Sequence, residues 1–206
     1  MKDDYFNEKS KIYETDNKRV DNVKNIAESI LEKRLLKKSD TILDFGSGTG
    51  LLTEYISNHV NKIIANDISN AMNQKLKEKI DNNKFSCEID ILSDNITKEK
   101  HLLESLDGII SSMTIHHVKD IELLFNEFYE SLKNGGILAL ADLETEDGSF
   151  HTEDTGVYHF GFDKNIFLKY AENAGFIDLS IKTVSIAEKP YGQYQYPIFL
   201  LIGKKP

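Results

Sequence analysis

Three glycines at alternate positions, Gly46, Gly48 and Gly50, follow Asp44 and Phe45 at the end of a short apolar run. The pattern predicts a buried strand that runs into a tight turn and then a helix. Glycine adopts positive φ and lets a ligand approach the backbone closely. The helix beyond the turn offers free N–H groups and a positive dipole end, which suit a carboxylate or phosphate. A second acidic residue, Asp67, ends another apolar run. A carboxylate about 20 residues past a glycine-rich turn suits a ribose diol. Together these residues point to a nucleoside cofactor.

Histidines supply the other candidate chemistry. His116 and His117 stand side by side after a buried-strand pattern, and His151 and His159 lie in a long polar stretch, 142–162, that also carries carboxylates and aromatics. Long loops in compact domains are often functional, and loops at the carboxyl ends of parallel strands surround the ligand crevice. A histidine there can accept a proton or hold a ligand. Adjacent side chains point in different directions on regular structure, so one packing ring and one cleft-facing ring are expected of the tandem pair. Convergence of His116, His117, His151 and His159 on a metal is the alternative; no metal is the expectation. Cys87 is the only cysteine. It excludes an internal disulfide, suits a reducing compartment, and is expected in the core.

The elements that must position these residues follow from periodicity and punctuation. Val23, Ile26, Ala27, Ile30, Leu31 and Leu35 have helical spacing across 21–38. Strands are expected at 41–45, 62–66, 84–89, 106–111 and 137–141, and helices at 51–59, 70–80, 98–105, 121–132 and 164–173. Ser69, Asp120 and Asp163 are the expected helix caps. The Asn134-Gly135-Gly136 run and Gly175 should stop the last two helices. Two closing strands, 176–187 and 196–203, are joined only by a turn, which implies an antiparallel pair at one edge. Strands alternating with helices imply a mostly parallel sheet covered on both faces. Residues 1–16 are polar but carry Tyr5, Phe6 and Tyr13, as an ordered flap would.

The bulk composition narrows the partners. The 206 residues suffice for one α/β domain with a sizeable core. A net charge of −9 opposes the basic stripe that a nucleic acid wants. The first residues are too polar for a signal peptide, and no apolar run approaches the ~20 residues of a membrane span. The expected partner is a small molecule, with no nucleic acid and no membrane, in a cytoplasmic monomer or weak homodimer.

The D-x-G-x-G-x-G run of Asp44 to Gly50, followed by Asp67, resembles the class I S-adenosylmethionine (SAM)-dependent methyltransferase family. Dinucleotide oxidoreductases carry G-x-G-x-x-G instead, and the triphosphatase P-loop motif is absent. The resemblance covers nearly the whole chain. It implies a Rossmann-like, seven-stranded, mostly parallel sheet with an antiparallel last strand and helices on both faces. It also implies a single domain over 1–206, with an N-terminal flap and helix at 1–38 and an acceptor-site loop at 142–162.

The resemblance further implies site roles. Asp44, Phe45, Gly46, Ser47, Gly48 and Gly50 match the turn that packs against the methionine and ribose of SAM. Asp67 matches the acid that holds the ribose hydroxyls. Ile68 and Met72 match the pair that flanks adenine, although Met72 would serve equally as core. Asp90, with Ile91, resembles the acid that takes the adenine amino group; Glu88 is a rival. Residues 111–118 resemble a segment that lies over SAM and faces the acceptor, which adds Ser111 and Met113 to the cofactor set and His117 to the catalytic set. The 6–13 stretch resembles an F-D-x-x-A-x-x-Y entry that closes over the cofactor, so Tyr13 joins His117, His151 and His159 as catalytic candidates, unless it merely packs the flap. The product would be S-adenosylhomocysteine. The amide-methylating N-P-P-[YF] run is absent after the fourth strand, which favours a small-molecule acceptor. A non-catalytic SAM- or partner-binding module, or an NAD(P)-dependent oxidoreductase, are the alternatives.

Overall fold

Asp16, Ser69, Asp120 and Asp163 each turn a side-chain oxygen back onto backbone amides two or three residues on, and each starts a helix there. In the computed structural model, which describes residues 10, 12–94, 96, 102–151, 156–188 and 194–206, these helices alternate with strands. The order is α1 (Asn17–Leu31), β1 (Thr41–Phe45), α2 (Leu51–Ile56), β2 (Lys62–Asn66), α3 (Asn70–Asp81), β3 (Glu88–Leu92), β4 (Leu106–Ser112), α4 (Ile121–Ser131), β5 (Leu132–Leu143), α5 (Lys164–Ala174), β6 (Ile177–Glu188) and β7 (Gln195–Lys204). Short 3-10 turns follow α2 at Ser57–His59 and precede α4 at Ile115–His117.

The strands form one sheet of order β3-β2-β1-β4-β5-β7-β6. The pairs among β1 to β5 are parallel. β7 runs antiparallel to both of its neighbours, β5 and β6. The closing strands are therefore an antiparallel pair, as expected, but β7 inserts beside β5 and leaves β6 at the edge. One core packs Ile26, Ile30, Leu52 and Ile56 against one face, and a second packs Phe125, Phe128, Phe167 and Phe199 against the other. Helices thus cover both faces.

Several boundaries differ from the sequence expectation, among them the helix expected across 21–38, which runs Asn17–Leu31 because Asp16 caps it. The third strand is Glu88–Leu92 rather than 84–89, because β2 is only five residues long and Lys62 pairs with Glu88. A ladder cannot begin before its partner does. Chain pairing in β5 begins at Leu132, opposite Leu106, well before the expected 137. Lys133 to Gly136 then loop out, with Gly135 at φ +82°, before Ile137 pairs with Gly108. The helix expected over 51–59 tightens into a 3-10 turn after Ile56. Flap residues 1–9 and 11, and the start of the expected 98–105 helix, lie outside the described residues.

Candidate functional site

The carboxyl ends of β1, β2 and β4 open onto a cleft of about 500 Å³. This is the end of a parallel sheet at which ligands bind, and β1 and β4 flank the reversal in strand order.

The glycine turn forms its floor. Gly46, Gly48 and Gly50 all have positive φ. The amides of Gly46 and Ser47 donate to the Asn66 carbonyl at 2.8 and 3.0 Å, which ties the turn to the end of β2. A Cβ on Gly46 would lie 2.1 Å from Thr114 Cγ2, so Thr114 closes that position. A Cβ on Gly48 would meet no protein atom within 4 Å, and Gly48 lines the cleft. The backbone is open there to a ligand.

Asp67 stands over this cradle. Its Oδ2 accepts the Gly48 amide at 2.9 Å and its Oδ1 accepts the Ser69 amide at 2.8 Å. Burial raises its pKa, and those two bonds oppose the rise. Each carboxylate oxygen keeps acceptor capacity for a hydroxyl. Ile68, half exposed, and Met72, buried, give the cleft an apolar flank. Asn66 Nδ2 donates to the carbonyls of Leu92 and Asp94 at 2.9 and 2.8 Å, which holds the end of β3 against the end of β2.

The opposite wall begins after β4. Met113 takes φ +58°, its amide donating to Ala141 at 2.9 Å, and the chain turns through Thr114 so that His117 lines the cleft. A non-glycine residue in this region is strained, and such strain clusters at ligand sites. Leu123, Leu124 and Glu127 of α4 continue the wall. Burial raises the pKa of Glu127, and Glu130 and Asp120 add to the rise. Tyr13, from the N-terminal segment, also lines the cleft. Arg19 Nη1 donates to the Tyr13 carbonyl at 2.6 Å, and its guanidinium lies 4.5 Å from the Tyr13 ring centre. Glu14 Oε1 accepts from Thr49 Oγ1 at 2.5 Å and pairs with Lys79 Nζ at 2.6 Å.

Of the residues singled out from sequence, the cleft gathers Tyr13, Phe45, Gly46, Gly48, Asp67, Ile68, Met72, Met113 and His117. Asp44, Ser47, Gly50 and Ser111 lie behind the lining. Asp44 Oδ2 accepts from Thr53 Oγ1 at 2.6 Å. Burial pushes its pKa up to about 7, with the Thr53 bond opposing and the Asp67 charge adding. A Cβ on Gly50 would reach within 2.5 Å of Leu76 Cδ1, so its role is close packing of α2 against α3. Ser111 Oγ donates to the Phe45 carbonyl at 2.7 Å and joins β4 to β1.

The structure does not bring Asp90 or Ile91 to the cleft. Asp90 sits within β3, because that strand starts at Glu88, and it pairs with Lys62 Nζ at 2.5 Å. The rival Glu88 pairs with the same lysine at 2.8 Å. His159 is likewise set back: its Nε2 donates to the Val118 carbonyl at 2.9 Å and its ring rests on Phe162. His151 lies one ring behind the wall, 5.8 Å from the His117 ring centre. Among the described residues, no group of three or more His, Cys, Asp or Glu side chains is arranged to hold a metal, and no helix is long and apolar enough to cross a membrane. Sequence reasoning missed Asn66, Thr114 and the α4 wall. The signal for the wall was there: Asp120, Leu123, Leu124 and Glu127 fall on one helical face.

Residues 43–140 match the family model described as a methyltransferase domain. The match supports the class I SAM-dependent methyltransferase family that the glycine turn resembles. An uncharacterized methyltransferase of Schizosaccharomyces pombe is 27% identical over 152 residues, 67% of this chain and 54% of its own. A malonyl-[acyl-carrier protein] O-methyltransferase of Calditerrivibrio nitroreducens is 31% identical over 120 residues, 57% of this chain and 44% of its own. The chain thus spans about half the length of these curated relatives. Phosphoethanolamine N-methyltransferase 2 of Haemonchus contortus, solved with S-adenosylhomocysteine, superposes with a TM-score of 0.71 at 17% identity over 87% of this chain and 52% of its own. That likeness is one of fold. The open cradle at Gly48 and the doubly held Asp67 fit the methyltransferase cofactor at the position the turn predicts.

Proposed function

We propose that the protein transfers a methyl group from SAM to a small-molecule acceptor in the cleft that Tyr13 and His117 line. The observation that carries this reading is the cradle: Gly48 is open to the cleft and Asp67 is fixed beside it by two amides. SAM bound there supplies an electrophilic methyl on a sulfonium, so the protein mainly has to place the reactants.

Each residue then has a defined task. Asp67 turns its remaining lone pairs to the ribose diol. Ile68 and Met72 enclose adenine, with the Met72 thioether filling space against the ring. Tyr13 shields the cleft from water. His117 takes the proton from an acceptor that still carries one near neutrality. Cleft size, the acidic net charge and the absence of an N-P-P-[YF] run support a metabolite-sized acceptor.

A screen of hydroxyl, amine, thiol and carbon acceptors, read by S-adenosylhomocysteine release, tests the reading. Turnover with one class that falls at least about ten-fold in His117→Ala, with SAM affinity unchanged, is the expected result. SAM binding without turnover on any acceptor would favour the binding-module alternative.

A further inference from the structure

Behind His117 lies a charged group that methyl transfer does not by itself require. Asp142, at the carboxyl end of β5, is completely buried. It accepts three hydrogen bonds: from His116 Nδ1 at 2.6 Å, from the His116 amide at 3.1 Å and from the Leu143 amide at 2.7 Å. His116 is 1% exposed. Its ring centre lies 4.4 Å from that of His117 and 5.1 Å from that of His151. Three imidazole rings therefore pack together, with the His116 ring bonded to the buried carboxylate, and only His117 of the three lines the cleft.

An ionised carboxylate only accepts hydrogen bonds, so the His116 Nδ1 carries the proton and Nε2 is the basic nitrogen. No lysine or arginine pairs with Asp142 among the described residues. A buried carboxylate without a lysine or arginine partner favours positive charge that arises near it.

We propose that Asp142 and His116 are a positioning pair for His117. The two bonds to His116 fix the turn Ile115–His117 so that the His117 ring faces the cleft. The carboxylate stabilises the imidazolium that forms when His117 takes the acceptor's proton. In that step the N–H bond forms on His117 while the acceptor's heteroatom keeps its bonding pair. The inference rests on the reading that His117 faces the methyl acceptor. His116 and His151 touch the His117 ring, and Asp142 stands behind His116. Tyr13, Asp67, Lys119, Asp120 and Glu127 line the same cleft. Lys119 opposes the carboxylate's effect, and the acids among them act with it. Replacing Asp142 alone isolates its share.

Long-range ¹H–¹⁵N spectra of the histidine side chains, recorded for the full chain over roughly pH 5 to 9, test the pair. The expected results are an Nδ1–H tautomer for His116, and a His117 titration midpoint that falls by about half a pH unit or more in Asp142→Asn. An Nε2–H tautomer at His116, or an unmoved His117 midpoint, would overturn it. The tautomer is read in the parent protein, so the test stands even if Asp142→Asn does not fold. SAM titration of the same samples separates the two readings. If the parent binds no SAM, the functional reading fails while the spectra still judge the pair. If it binds SAM and the midpoint does not move, the pair fails alone.

Discussion

The Asp67 carboxylate accepts the Gly48 amide at 2.9 Å, so the acid that ends β2 and the turn that follows β1 form a single binding element. The neighbouring glycines in that element do different work. Gly46 is closed off by Thr114, whereas Gly48 faces open space. Gly46→Ala forces Thr114 to move and should cost about 1–3 kcal/mol of stability. Gly48→Ala should cost about 1–2 kcal/mol from its left-handed backbone and also place a methyl where the ligand approaches. Its mark is a SAM affinity at least about ten-fold weaker, ~1.4 kcal/mol. Denaturant midpoints and SAM titrations of both variants check this. Equal SAM affinity in Gly48→Ala and the parent would contradict it.

Asp44 gives the stability a pH dependence of known sign. Burial raises its folded pKa from 3.8 to about 7. Between those values the folded state holds a proton that the unfolded state has lost, so this group's contribution falls as pH rises from about 4 to about 7 and is level above. Asp44→Asn does not titrate and can still accept from Thr53. Its melting temperature relative to the parent should therefore climb between pH 5 and pH 8, by an amount worth about 1 kcal/mol or more. Calorimetric melts at the two pH values measure it. A difference that does not change with pH would contradict the assignment.

Most of the scaffold was legible in the sequence because its signals are local. Asp120 and Asp163 cap helices where a cap followed by an apolar period says they should. Gly175 ends α5 in the left-handed conformation. What was not legible depends on partners distant in the chain. The start of β3 is set by the length of β2, and that shift moved Asp90 from the strand's end to its middle, onto Lys62. The set-back position of His159 depends on the Val118 carbonyl, contributed from across a loop. The 142–162 loop signalled function by its histidines, but nothing local told His151 from His159, or revealed that Asp142 anchors His116.

The N-terminal segment is latched to the glycine turn by Glu14, through Thr49 and Lys79. Ion pairs that stay partly open to solvent, as this one does, add little to stability, roughly 0–1 kcal/mol. The effect of the latch should therefore appear in ligand residence rather than in folding. Glu14→Ala should release SAM about two to five times faster with little change in association rate. Stopped-flow displacement of SAM by S-adenosylhomocysteine checks this. An unchanged dissociation rate would mean that the latch does not hold Tyr13 at the cleft.

Lys205 provides a stability test remote from the site. Its buried Nζ donates to the carbonyls of Tyr129 and Leu132 at 2.9 and 2.8 Å, where α4 passes into β5. Lys205→Met leaves both without that donor and should cost about 1–3 kcal/mol. Urea unfolding measures the loss, and SAM affinity should remain at the parent value.

Calorimetric titration with SAM, S-adenosylhomocysteine and NADH, on the parent and on Asp67→Ala, tests the central claim most directly. The account predicts that the parent binds both sulfur nucleosides and not NADH. It also predicts that Asp67→Ala loses at least about ten-fold in affinity for both, as the charge-assisted bonds to the ribose diol are removed. Parent-like binding in Asp67→Ala, or binding of NADH alone, would contradict it.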